Sequence, residues 1–163
     1  MKLLAFFTAL MTAVSLSGLV PFERHEVAAL QPVQALTVSV ENGRIVLDGG
    51  QVQGRGATWQ DAMADLRHSG KGAVFLGTAE QIILVQSAVQ LLPQVLSDRQ
   101  LRPAAQVCVS RERITDVQAA ADYLSAHPTG MTVQKLRTII ANAGSASLPV
   151  LTQTEGGLRI YGS

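Results

Sequence analysis

The residues that could form a metal site lie on one predicted helix. Asp61, Asp65 and His68 are four and three positions apart, so a helix would present all three on one face. Zinc accepts carboxylate and imidazole ligands, but its tetrahedral site needs a fourth ligand and the neighbouring sequence offers none. The helix dipole explains the spacing more simply, with Asp61 at the positive start and His68 at the negative end. We therefore predict no metal site, and a small secreted metal-dependent hydrolase is the alternative.

Motifs for hydrolytic catalysis and for phosphate binding are incomplete in this chain. The histidines at positions 25, 68 and 127 could pair with a serine, but no Gly-x-Ser-x-Gly segment provides a nucleophile turn. Gly54-Arg55-Gly56 lacks the Gly-Lys-Ser/Thr of a phosphate-binding loop, and no third glycine completes a dinucleotide-binding pattern. A flexible connection into a helix is the better interpretation. We predict no catalytic residue and no cofactor.

The single cysteine, Cys108, lies between Val107 and Val109 in an apolar segment. An exported domain held by disulfide bonds needs an even set of cysteines, so this fold depends on its hydrophobic core. The surroundings predict a small buried side chain, with a reactive thiol or an intermolecular bridge as the alternatives.

The charge of the chain restricts the partners that it can bind. The formal net charge is +1, and only 15% of the residues are charged and 4% aromatic. Because basic residues are scattered and aromatic rings are few, we predict no nucleic-acid binding. So few charges indicate either a surface covered by a partner or a membrane, or a small alanine-rich fold.

Arg111-Glu112-Arg113 is the exposed charged segment that best suits a docking role. It directly follows an apolar strand pattern, where such a segment is usually a solvated loop. We retain Arg111, Glu112 and Arg113 as a possible docking surface, with the turn at 127–129 as a second one.

The first 22 residues have the pattern of an export signal. Met1-Lys2 is followed by an uncharged, largely apolar segment that ends at Phe22. The segment is also about as long as a minimal membrane-spanning helix, roughly 20 residues. We predict a signal peptide or membrane anchor at 1–22, and one extracytoplasmic domain of ordinary size at 23–163. Whether the leader is cleaved stays open.

Helix and strand patterns alternate along the rest of the chain. Asn42-Gly43 suits a tight hairpin turn, so residues 34–48 are predicted as a β-hairpin whose Glu41 and Asp48 are solvated. Gly70 is predicted to end the first helix in a left-handed conformation. The other predicted strands are an irregular one near 51–53 and those at 73–77, 81–86, 104–110, 149–151 and 158–161. Four helices are predicted to begin at Thr58, Ser87, Thr115 and Thr132. Thr58 can form a capping box with Asp61, and Ser87 and Thr132 can cap their own helices. The fold class is therefore α/β (α+β), a single mixed and partly antiparallel sheet with about four helices, preceded by a hydrophobic leader.

The order of these segments resembles one protein family. The stretch from Glu23 to Val27, followed by Pro32-Val33 and Ala35-Leu36, is similar to the start of the mature Ger(x)C-type spore germination proteins. Gly54-x-Gly56, which leads into a predicted helix, is similar to a Gly-x-Gly segment that precedes a helix in that family. The segments at 77–96 and 98–110 resemble its following strand, helix and strand. The resemblance covers residues 23–125.

The resemblance implies that residues 23–163 form the N-terminal domain of a non-enzymatic C subunit of a nutrient germinant receptor, in an endospore-forming bacterium. Its partners would be the membrane-embedded receptor subunits, and it would lie on the outer face of the spore inner membrane. Family members carry a lipobox cysteine, whereas Leu16-Ser17-Gly18-Leu19 has leucine there, so the leader itself would hold the protein at the membrane. Members of the family are also about twice as long as this chain. The chain could therefore be a reduced relative of the family, an accessory protein or a decayed copy. A generic envelope module without a link to spores is a separate alternative.

Overall fold

A computed structural model describes residues 30–154 and 156–162, so the leader and His25 lie outside the described part. Within it the strands are β1 Leu30–Pro32, β2 Ala35–Glu41, β3 Arg44–Asp48, β4 Gln53–Gly56, β5 Ala73–Phe75, β6 Gln81–Val85, β7 Gln106–Ser110, β8 Val150–Thr154 and β9 Gly157–Tyr161. The α-helices are α1 Trp59–Ser69, α2 Leu92–Ser97, α3 Val117–Ala126 and α4 Val133–Ala143. Short 3-10 turns lie at Leu76–Thr78 and Gln86–Leu91.

The main sheet has seven strands in the order β4-β3-β2-β6-β7-β8-β9. Its four central strands, β2, β6, β7 and β8, are parallel, and antiparallel strands lie on both sides of them. A separate two-stranded parallel sheet pairs β1 with β5. The predicted class, α/β with a mixed and partly antiparallel sheet and about four helices, is confirmed, but the second, two-stranded sheet was not predicted.

The helices cover the two faces of the main sheet unequally. The larger core cluster joins buried side chains of α1, α2 and α4 to one set of alternating strand residues, such as Leu36 and Ile82. A smaller cluster joins Leu124 of α3 to the opposite set, such as Ile83 and Cys108. Because successive strand side chains point to opposite faces, three helices lie on one face and α3 lies on the other.

The hairpin of β2 and β3 is confirmed with its predicted turn. Asn42 has a φ of 50° and Gly43 a φ of 75°, and Glu41 pairs with Arg44 across them. Positive φ at both central residues gives the turn the twist of the flanking strands, which is why Asn-Gly occurs there.

The segment from Gly54 to Gly56 is part of β4, so the prediction of a flexible connection is wrong. A Cβ at Gly54 would collide with the main chain of α1 at Ala62 and Leu66, and one at Gly56 would also collide with Ala62. The two glycines therefore let the strand and the helix pack backbone to backbone.

Side-chain caps begin three of the helices. Thr58 forms the predicted capping box with Asp61, and Thr132 caps α4 as predicted. The start predicted at Thr115 is too early, because Asp116 caps α3 and the helix begins at Val117.

Two predicted helix ends are wrong. Gly70 follows α1 with a φ of −80°, which is extended and not left-handed. Ser87 does not cap a helix: it lies in a 3-10 turn, and its Oγ accepts a hydrogen bond of 3.2 Å from the Val40 amide of β2. The Ser87 hydroxyl, which the sequence pattern predicted as a helix cap, therefore takes part in a tertiary contact with β2.

No helix in residues 30–154 and 156–162 is long and apolar enough to cross a membrane.

Candidate interaction surface

Strand β7 separates the two predicted docking loops. Ser110 is its last residue, directly before 111–113, and Gln106 is its first residue and holds the turn at 127–130. The ends of a five-residue strand are roughly 13 Å apart, since the rise per residue is about 3.3 Å. The two loops therefore lie at opposite ends of the strands and do not form one surface.

The loop after β7 is fixed by two polar contacts. Ser110 is buried, and its Oγ donates a hydrogen bond of 2.7 Å to the carbonyl oxygen of Glu112. Arg113 Nη1 lies 3.0 Å from Glu41 Oε1, at the end of β2. Arg113 and Glu41 thus hold the loop on the sheet, and the Glu41 side chain stays 32% exposed.

Arg111 and Glu112 border an open depression on the other side of this loop. Its volume is about 590 Å³, and Thr152 and Thr154 of β8 and Tyr161 of β9 also line it. Tyr161 is 54% exposed. Within the described part of the chain Arg111 forms no ion pair. We call this surface the β8–β9 depression.

The sequence analysis did not connect Tyr161 to Arg111. Tyr161 pairs with Val150, and Val150 pairs with Val109, so two strand pairings bring the tyrosine beside the end of β7. The alternation of polar and apolar residues in the last hairpin could have indicated that one face of the hairpin points outward. The same alternation does not tell which other strand the hairpin pairs with.

The second predicted docking turn is tied to the fold by its polar groups. His127 stacks on Tyr123 with ring centroids 4.3 Å apart, and its Nδ1 lies 2.9 Å from the Tyr123 carbonyl oxygen. The amide and hydroxyl of Thr129 both donate to Gln106 Oε1, at 2.6 and 3.1 Å. These contacts hold the turn against α3 and the start of β7.

The three residues of the metal hypothesis hold separate local contacts. Asp61 Oδ2 accepts from the Thr58 hydroxyl at 2.8 Å, and Asp65 Oδ2 accepts from the Arg55 amide at 2.8 Å. His68 Nδ1 lies 2.6 Å from the Ala64 carbonyl oxygen. In the described residues no group of three or more His, Cys, Asp or Glu side chains could hold a metal ion.

Cys108 is buried, as the sequence predicts. Its side chain is 3% exposed, and burial raises the pKa of its thiol from 9.0 to about 12. A thiol that stays protonated at neutral pH is a poor nucleophile. The residue therefore behaves as a small core side chain.

A depression of about 610 Å³ contains two carboxylates, Asp48 and Asp116, that the sequence analysis did not group. Asp48 Oδ1 accepts from the Gly50 amide at 2.8 Å, and Asp116 Oδ1 accepts from the Ala119 amide at 2.9 Å. Each carboxylate thus holds its own turn, and Asp48 is half-buried.

No family model, no curated protein and no solved structure matches this chain.

Proposed function

We propose that the protein is an exported, membrane-associated docking component that resembles the C subunit of a spore nutrient germinant receptor. It acts by binding the membrane-embedded receptor subunits, and it performs no catalysis. Its leader, residues 1–22, carries it out of the cytoplasm or anchors it.

The observation that best supports a docking role is the presence of Arg111 and Tyr161 on one depression. Both side chains are exposed, and Arg and Tyr are among the residues that most often dominate binding energy at protein interfaces. The loop that carries Arg111 is already fixed by Ser110 and Arg113, so binding would cost little ordering of the backbone.

The choice of partner rests on the family resemblance. The close approach of Gly54 and Gly56 to α1 gives a physical reason for the Gly-x-Gly step on which part of that resemblance depends. The partner class follows from the resemblance alone.

Capture from membranes of sporulating cells tests the proposal. The full-length protein is crosslinked there, purified under denaturing conditions, and its partners are identified by mass spectrometry. We expect the membrane subunits of a germinant receptor. An Arg111→Ala variant, present at an equal level, should recover less of them than a variant altered at Arg44, which lies beside the β2–β3 turn.

Two results would contradict the proposal. Recovery of other envelope proteins without receptor subunits would indicate a generic envelope module. A trimmed domain found only in the soluble fraction, without partners, would remove the membrane role.

A further inference from the structure

The two edges of the seven-stranded sheet differ in how they are protected. At the β4 edge the Arg55 amide donates a hydrogen bond of 2.8 Å to Asp65 Oδ2 of α1, and the same helix packs on Gly54. At the β9 edge, within the described part of the chain, no strand or main-chain hydrogen bond reaches the outer side. Native sheets often protect an edge with proline, lysine or a bulge, and β9 has none of these. The outer side of β9 is therefore a place where another strand can pair.

The main-chain groups of Leu158 and Ile160 point outward from this edge. The Thr154 hydroxyl donates a hydrogen bond of 2.9 Å to the carbonyl oxygen of Gly157, so the main-chain groups of Gly157 face β8. The facing direction alternates from one residue to the next in an antiparallel pair, which directs the groups of Leu158 and Ile160 to the other side. Two amides and two carbonyl groups are thus available to an added strand.

The two faces of this edge have different chemistry. Leu158 and Ile160 are half-buried and pack, with Tyr123, against the smaller core cluster on the α3 face. Arg159 is exposed on the opposite face, where its cross-strand partner Thr152 lines the β8–β9 depression. An added strand would therefore meet apolar side chains on one face and an arginine on the other.

Positive charge exceeds negative charge on the face of the depression. Arg159 and Arg111 are both exposed, and neither forms an ion pair among the described residues. Glu112 is the one acidic side chain among the described residues that line the depression. This face therefore suits a strand that carries a carboxylate.

A second copy of β9 fits the edge poorly. An antiparallel two-fold pairing that uses all the outward groups would place Leu158 opposite Ile160 of the other copy. Arg159 would then lie directly opposite the same arginine, and like charges in that position are destabilising. Arg159 thus disfavours self-pairing and favours a different chain with an acidic residue there.

We infer that β9 binds an extended segment of the partner as an additional antiparallel strand, an inference that rests on the proposed docking function. The segment carries an aspartate or glutamate opposite Arg159, with an apolar residue on each side of it. These apolar residues extend the face of Leu158 and Ile160, and their main chains pair with the outward groups. The hydrogen bonds supply affinity, and the acidic residue fixes the register.

Synthetic peptides test the inference with the full chain in detergent micelles. The probe is a fluorescein-labelled peptide with the sequence Thr-Val-Glu-Val-Thr between serines, and a control peptide has lysine in place of glutamate. Fluorescence polarisation should show the glutamate peptide binding at least about threefold more tightly. An Arg159→Glu variant should reverse this preference. Arg99→Glu, a matched change at an exposed arginine after α2, should keep it.

Methylated peptides test the main-chain pairing. Methylation of both valine amides should weaken binding at least about tenfold, because both amides point at β9 and lose their hydrogen bonds. Methylation of the glutamate amide, which points away from β9, should leave the affinity unchanged. No binding of the glutamate peptide up to about 1 mM would overturn the inference, as would equal loss with either methylation.

Hydrogen exchange shows whether the edge is open in the protein alone. The amides of Leu158 and Ile160 should exchange faster than the amide of Arg159, whose main-chain groups face β8. The glutamate peptide should slow the exchange of the first two. Slow exchange without peptide would overturn the inference. In that case another segment of the chain covers the edge, or a second copy does if the protection rises with protein concentration.

The capture experiment separates this inference from the proposed function. Receptor subunits captured equally by wild type and by Arg159→Glu, together with no peptide binding, would leave the function standing and remove the added strand. Selective peptide binding without receptor subunits in the capture would support the added strand and remove the receptor assignment.

Discussion

Arg113 Nη1 and Glu41 Oε1 lie 3.0 Å apart, and this ion pair ties the loop after β7 to the end of β2. Both side chains are partly exposed, at 52% and 32%. The pair therefore divides the charged segment 111–113 into a residue that holds the loop and a residue, Arg111, that faces the β8–β9 depression.

Replacing Arg113 with alanine should lower the free energy of unfolding by about 0.2–1 kcal/mol, the range for exposed ion pairs. Urea denaturation measures the change, and the difference from wild type should shrink in 1 M salt, where the screening length is about 3 Å. Glu41→Ala should cost about as much as Arg113→Ala, and the double variant should cost less than the sum. An additive double variant would show that the two side chains do not interact.

Arg111→Ala should change the free energy of unfolding by less than about 0.5 kcal/mol, because the side chain is on the surface and forms no ion pair among the described residues. The same variant should recover less receptor subunit in the capture experiment. Tyr161→Ala should share this effect, since Tyr161 lines the same depression. Full recovery by both variants would exclude the depression as the docking surface.

Gly54→Ala should destabilise the fold by at least about 1–3 kcal/mol, because the added methyl group meets the main chain of α1 and one element must move. Gly156→Ala is the control, since its Cβ would meet only Thr154 Oγ1, at 3.9 Å. Urea midpoints of the two variants give the comparison. Equal midpoints would mean that β4 and α1 are not in close contact.

The single tryptophan reports on the contact between α1 and the end of α2. Trp59 Nε1 donates a hydrogen bond of 2.8 Å to Asp98 Oδ2, and Trp59 is 6% exposed. Asp98→Ala should leave the indole donor unsatisfied, at a cost of about 1–3 kcal/mol, and should shift the tryptophan emission. Asp98→Asn keeps an acceptor and should lose less. An unchanged spectrum and midpoint in Asp98→Ala would contradict this contact.

Cys108 should make the fold less stable in alkali. Burial raises the pKa of its thiol from 9.0 to about 12, so the folded state holds the proton more tightly than the unfolded state. This contribution to stability is complete below pH 9 and is lost as the pH rises towards 12. Cys108→Ala should flatten that part of the pH profile in urea denaturation.

Thiol labelling gives an independent check on Cys108. An alkylating reagent at pH 8 should modify it only after urea unfolds the protein, since the folded thiol is both buried and protonated. Rapid labelling of the folded protein would contradict its burial.

The sequence by itself determined the local elements of this protein. Asn42-Gly43 required a hairpin turn because only residues that tolerate positive φ fit there. Thr58 and Thr132 marked two helix starts, since their hydroxyls satisfy amides within the same turn. Each of these signals is contained in a few neighbouring residues.

Only the tertiary structure decided how those elements use their polar and small residues. Gly54 packs against a helix that follows it, Ser87 bonds to β2 and Arg113 pairs with Glu41. Tyr161 reaches Arg111 only through the order of the strands. Each relation joins segments that the chain separates, and local propensity carries no information on which distant backbone or charge a side chain will meet.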